Sequence, residues 1–111
     1  HCALMQPAAD QMAEILANIT FEEPQIRIIQ NVNADYPADV DEIRANLISQ
    51  MSSAVLWSGT IRKILAGDVS HIIECGPGKV LSGLNRRIDK SIESENISSL
   101  ESLAAVVEGF Q

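Results

Sequence analysis

The sequence predicts an α/β fold with parallel strands flanked by helices. Apolar residues recur at helical spacing in several stretches, short β-branched runs interrupt that period, and the two patterns alternate along the chain. Met5, Met12, Ile15, Leu16 and Ile19 predict a helix over about 6–18, with Pro7 in a first turn that needs no amide donor. Gln25 to Asn31, rich in isoleucine, reads as a strand, and 31–37 as a loop. Asp39 with Glu42 three residues on has the form of a capping box. It opens a helix whose apolar stripe is Val40, Ile43, Leu47 and Met51.

A further helix carries Trp57, Ile61, Ile64 and Leu65, with Gly67 placed to end it as a left-handed cap. His71 to Cys75 reads as a short, largely buried strand broken by Gly76-Pro77-Gly78. Helical spacing resumes from Lys79 to Lys90 through Val80, Leu81, Leu84 and Ile88. A weak strand fits Ile92 to Ile97. Ser98-Ser99-Leu100-Glu101 then reads as a second capping box, leading into Leu100, Leu103, Val107 and Phe110. Two or three strands are few for a parallel sheet covered on both faces, so the sequence is expected to be part of a larger domain.

The composition narrows the function classes. The chain has 111 residues, enough for one domain, and its 46% hydrophobic content is nearly free of aromatics. A formal net charge of −7 argues against nucleic acid or an anionic membrane as a partner. No apolar run approaches the ~20 residues needed to span a bilayer. Cys2 and Cys75 lie far apart and suit reduced, buried, inert thiols in a cytoplasmic protein.

Few residues invite chemistry on spacing alone. "CGPGKVLSGL" sets glycines and a lysine between a strand and a helix, like a phosphate loop. Ile73 and Val80 occupy the positions where such a loop needs glycine and a hydroxyl residue, so a tight turn with a solvated Lys79 is the expected role. His71 has no Cys, His or carboxylate at metal-ligand spacing and is expected to be structural or exposed. No metal site and no cofactor are expected. Arg86, Arg87 and Lys90 form a small basic patch late in a helix, suited to the helix dipole or to docking a partner.

A resemblance adds to this reading. "HCALMQPAADQMAEIL", "QNV", "ISQMSSAVLW" and "IIECGPGKVLSGLNRRI", in this order and spacing, resemble the carboxy-terminal part of the malonyl-CoA:acyl carrier protein transacylase family of fatty-acid synthesis, across all 111 residues. The fold implied is the carboxy-terminal portion of an α/β-hydrolase-like acyltransferase large subdomain, with an incomplete parallel sheet. In that family a serine in a G-H-S-x-G elbow attacks the acyl thioester and a histidine serves as its base. The histidine followed by Cys-Ala-Leu-Met maps onto His1. The main-chain carbonyl that orients it maps onto Gln50, near a helix end where free carbonyls are left over.

The resemblance implies malonyl-CoA and acyl carrier protein as partners, and a ping-pong transfer through an acyl-serine. This sequence contains no G-x-S-x-G. The nucleophile, the arginine that pairs with the malonyl carboxylate, the oxyanion-hole glutamine and the ferredoxin-like subdomain are all expected in a missing amino-terminal part. The chain alone is therefore expected to be an inactive fragment that supplies the histidine. Two other readings stay open. One is an acyltransferase domain of a polyketide synthase with another acyl donor, and the other is a non-catalytic acidic α/β interaction domain.

Overall fold

The computed structural model describes residues 1–111, which fold as two compact units, His1–Ile64 and Leu65–Gln111. In the first unit a 3-10 turn at Ala3–Met5 runs into helix α1, Gln6–Ala17, with Pro7 in its first turn. Its inward stripe buries Ala9 and Leu16 against helix α2, Val40–Ser49, and against the 3-10 turn Gln50–Ser52 that continues α2. Arg44 ties α2 to the segment that follows α1: its guanidinium donates to the Ile19 carbonyl at 2.9 Å and lies over the Phe21 ring.

Asp39 caps α2 by accepting from the Glu42 amide at 2.8 Å. The reciprocal arm differs from the box expected, because Glu42 reaches one residue further and accepts from Ala38. Helix α3, Trp57–Leu65, buries Thr60 and Ile61. It ends differently from the expectation at Gly67. The left-handed residue is Asp68, with φ 62°, and its amide closes onto the Leu65 carbonyl.

The strand expected over 25–31 does not form. Only Gln30 makes an isolated antiparallel bridge, to Asp35 across a tight loop with Ala34 at φ 55°. A β-branched run becomes a strand only when another strand takes up its backbone groups. None does here, and Ile26 stays 80% exposed.

The second unit is a βαβ arrangement followed by a helix. Strands β1, His71–Cys75, and β2, Glu93–Ile97, pair in parallel with His71 opposite Glu93 and Cys75 opposite Ile97. Helix α4, Val80–Ile88, connects them, and α5, Leu100–Gly109, follows β2. β1 is half-buried rather than largely buried, because β2 is its one partner strand. Ser82, Asn85, Ile92, Ser94 and Val106 are the buried residues. The capping box of α5 is shifted by one residue from the expectation. Ser99 and Ser102 cap each other's amides, and the Ser102 hydroxyl also accepts from Ser98.

Large apolar side chains remain uncovered in both units, among them Leu4, Ile15, Val80, Leu100 and Phe110. No helix is long and apolar enough to cross a membrane.

Candidate active site

The structure brings His1 and Gln50 together. Cys2 is extended, and the 3-10 turn after it packs on the 3-10 turn after α2. Across this contact His1 Nδ1 lies 2.7 Å from the Gln50 carbonyl oxygen. A carbonyl only accepts, so Nδ1 must carry the proton and donate it. In the neutral ring Nε2 is then the free acceptor, on an exposed residue.

The Gln50 carbonyl is available because of how α2 ends. Gln50 still donates its own amide back to Asn46. The helix then tightens into a single 3-10 turn, so the only amide returning to the Gln50 oxygen is that of Ser53, at a long 3.4 Å. A helix end leaves such carbonyls without intrahelical partners, and the His1 ring takes up this one.

His71 and the glycine turn meet a different fate. His71 sits at the start of β1, and the parallel register puts Glu93 opposite it and Glu95 on the same face of β2. His71 Nδ1 is 3.2 Å from a Glu93 carboxylate oxygen and Nε2 is 2.6 Å from one of Glu95. The ring edge also packs on Phe110 at 4.9 Å between centroids. Partial burial alone would lower the His71 pKa. Hydrogen bonds and charge from Glu93 and Glu95 outweigh that and raise it above the ordinary value. The sequence reading missed this cluster. Its one local signal is two glutamates at alternate positions in a strand. No group of three His, Cys, Asp or Glu side chains stands where it could hold a metal.

Gly76 and Gly78 both take positive φ, 146° and 79°, which explains glycine at those places. The amides at the start of α4 do not face an open anion site. Glu74 reaches across from β1 and accepts from the Leu81 and Ser82 amides and the Ser82 hydroxyl. These donors hold the Glu74 carboxyl below its ordinary pKa, the Ser82 hydroxyl first. Asn96 fastens the turn by donating to the Gly76 and Gly78 carbonyls. An internal carboxylate thus fills the place a phosphate would take. Lys79 is exposed, as expected.

Arg86 donates to the Ser94 carbonyl at 3.1 Å, while Arg87 and Lys90 are exposed. Cys2 and Cys75 are both free and exposed, which corrects the expectation that they are buried. Cys2 lies on an extended segment at the surface, and Cys75 ends a strand just before the glycine turn.

No protein-family model matches the chain. It is 39% identical over 108 residues to the malonyl CoA-acyl carrier protein transacylase of Escherichia coli (strain K12), covering 97% of this chain and 35% of that protein. Among solved structures it is similar to the malonyl-CoA:acyl carrier protein transacylase of Xanthomonas oryzae pv. oryzae. The TM-score is 0.89 at 37% identity, over 98% of this chain and 35% of that one. A type II PKS acyl-carrier protein in complex with its malonyl-transacylase gives a TM-score of 0.89 at 36% identity, again over 98% of this chain and 35% of that one. The chain spans about a third of the length of the relatives it matches. The flanked parallel strand pair is accordingly part of a hydrolase-like α/β fold. The chain is a relative of the malonyl CoA-acyl carrier protein transacylases, and what it matches is their carboxy-terminal part.

Proposed function

We propose that this chain works as the carboxy-terminal part of a transacylase large subdomain that moves a malonyl group from malonyl-CoA to acyl carrier protein. His1 is the general base and the Gln50 carbonyl orients it. The single observation that supports these roles most directly is the 2.7 Å contact from His1 Nδ1 to the Gln50 oxygen. It leaves Nε2 available as a base. The uncovered apolar faces of both units and the one-third coverage of the relatives support an amino-terminal portion that supplies the nucleophile.

The chemistry follows from the tautomer. A serine hydroxyl is a poor nucleophile at neutral pH, and a neutral imidazole can remove its proton as the oxygen attacks the thioester carbon. The C–O bond forms and the C–S bond breaks. Nε2–H then returns the proton to the departing coenzyme A thiolate. The thiol of the carrier protein enters by the reverse route, giving its proton to Nε2 and releasing the serine. The Gln50 carbonyl fixes the ring and accepts from imidazolium as well as from imidazole. Being neutral, it stabilises the cation less than an aspartate would.

The relative solved with an acyl-carrier protein supports a carrier protein as the acceptor, and such a reaction suits the cytoplasm. The test is single-turnover acylation of the complete enzyme by malonyl-CoA. His1→Ala should slow it by about 10²–10⁴-fold with donor binding preserved. An acylation rate unchanged from that of the parent enzyme would remove His1 from the mechanism.

A further inference from the structure

From the bonds on both sides of Gln50 we infer that Gln30 is a positioning residue for His1, acting through α2 and the Gln50 carbonyl. The inference rests on the roles proposed above for His1 and Gln50. Gln30 lies twenty residues before Gln50 and touches neither His1 nor Gln50 by any hydrogen bond of its own. Its side-chain amide instead staples one face of α2. Nε2 donates to the Ile43 carbonyl at 3.1 Å, and Oε1 accepts from Asn46 Nδ2 at 2.8 Å. Both bonds are part-buried, so water competes with them poorly.

Asn46 is the residue whose own carbonyl receives the Gln50 amide. The staple therefore holds the peptide that holds Gln50. Ile43, at its other end, is the buried residue of α2.

Gln30 is itself held firmly. It is bridged to Asp35, its carbonyl accepts from Ala34 at 3.0 Å, and Ala34 adopts a left-handed φ to close that loop. The next residue, Asn31, accepts from the Leu56 amide at 2.9 Å. Residues 30 and 31 thus grip the chain on both sides of the 3-10 turn that carries Gln50, at Asn46 before it and at Leu56 after it. A carbonyl that must stay at 2.7 Å from an imidazole nitrogen needs its backbone fixed from outside the turn, because the turn's own return bond, from Ser53, is long.

A merely structural staple would change the folded fraction but not the state of the His1 ring. The experiment reads both, in the complete enzyme, on Gln30→Ala, Asn46→Ala, the double variant and Gln30→Glu. At saturating malonyl-CoA, Gln30→Ala should slow acylation about tenfold while KM stays within about twofold, a smaller penalty than the hundredfold of a ~1 Å displacement. The double variant should be no slower than the slower single one, since both act along one path. Gln30→Glu keeps an acceptor for Asn46 but sets a carboxylate oxygen against the Ile43 carbonyl, so it should be no faster than Gln30→Ala.

Nitrogen-15 spectra of the His1 imidazole should show the Nδ1–H tautomer in the parent and a mixture of tautomers in Gln30→Ala. A folded Gln30→Ala with parental rate and an unmixed tautomer overturns the inference. Failure of both Gln30→Ala and Asn46→Ala to fold overturns it too, since the staple would then be a folding element. His1→Ala is measured alongside. If that variant is fully active the roles proposed for the site fail, while the tautomer spectra still judge whether Gln30 positions the ring.

Discussion

The chain contains two histidines, and its two units treat them in opposite ways. His1 offers Nδ1 to one neutral carbonyl and leaves Nε2 open. His71 has a carboxylate oxygen at each ring nitrogen. To satisfy both, His71 must donate twice, which only the imidazolium does. Its charged form is favoured and it has no lone pair to spare for a substrate. The comparison teaches that the number and charge of the acceptors around the ring decide what an imidazole does. One neutral acceptor leaves a ring nitrogen with its lone pair free. Two anionic acceptors make a cationic clamp across a pair of strands.

The sharpest way to break this contrast is to move the Gln50 backbone without changing its chemistry. One residue inserted between Gln50 and Met51 should slow single-turnover acylation by about a hundredfold, the usual effect of a ~1 Å displacement of a catalytic group. Gln50→Ala keeps the carbonyl, so turnover should survive with at most about 1 kcal/mol of stability lost through local hydrogen bonds. A hundredfold slower Gln50→Ala in a well-folded protein would show that the side chain takes part.

In the second unit the effects should fall on stability and not on chemistry. Glu74→Ala removes the acceptor for the Leu81 and Ser82 amides, so amide hydrogen exchange there should accelerate and the melting temperature should fall. The Glu74 carboxyl has a lowered pKa in the folded state. Its contribution is therefore present above its ordinary value and lost as pH falls through the folded one. Acid should erase the difference between the parent and Glu74→Ala. A difference that persists at low pH would mean that the carboxylate is not the cap.

The smallest effect concerns His71, whose side chain is 27% exposed. Its folded pKa is raised above the ordinary 6.5. The stabilisation is complete below the ordinary value and disappears as pH rises through the folded one. Melting curves of the parent and His71→Gln should differ most in mild acid and converge above neutrality, with acylation unaffected at any pH where the protein is folded. Divergence growing with pH would reverse the sign and disprove the clamp.

Helices, their caps and the glycine turn were legible because their hydrogen bonds join residues a few positions apart. Asp39 finds the Glu42 amide, and Gly76 and Gly78 take the backbone angles that a tight turn needs. Where local signals compete, they were off by a residue or so, as at Asp68 in place of Gly67 and at Ser99 in place of Ser98. The run from Gln25 to Asn31 misled because strand formation depends on a distant partner that this chain does not give it. Likewise Cys2 and Cys75 have an apolar residue's tendency to be buried but sit where nothing covers them.

His1 and Gln50 are legible through resemblance and not through spacing, since nothing local links residues 49 positions apart. By itself the sequence determined the five helices, the strands at His71–Cys75 and Glu93–Ile97, the Asp39 cap, the turn at Gly76-Pro77-Gly78 and the kinship to a transacylase. Tertiary structure alone decided that the Gln50 carbonyl reaches His1, that Gln30 grips α2, and that two glutamates close on His71. The reason is the range of the forces. Backbone propensity and capping act within a turn of helix, whereas the partner of a side chain across a helix or a sheet is fixed only when packing and strand register bring distant segments together.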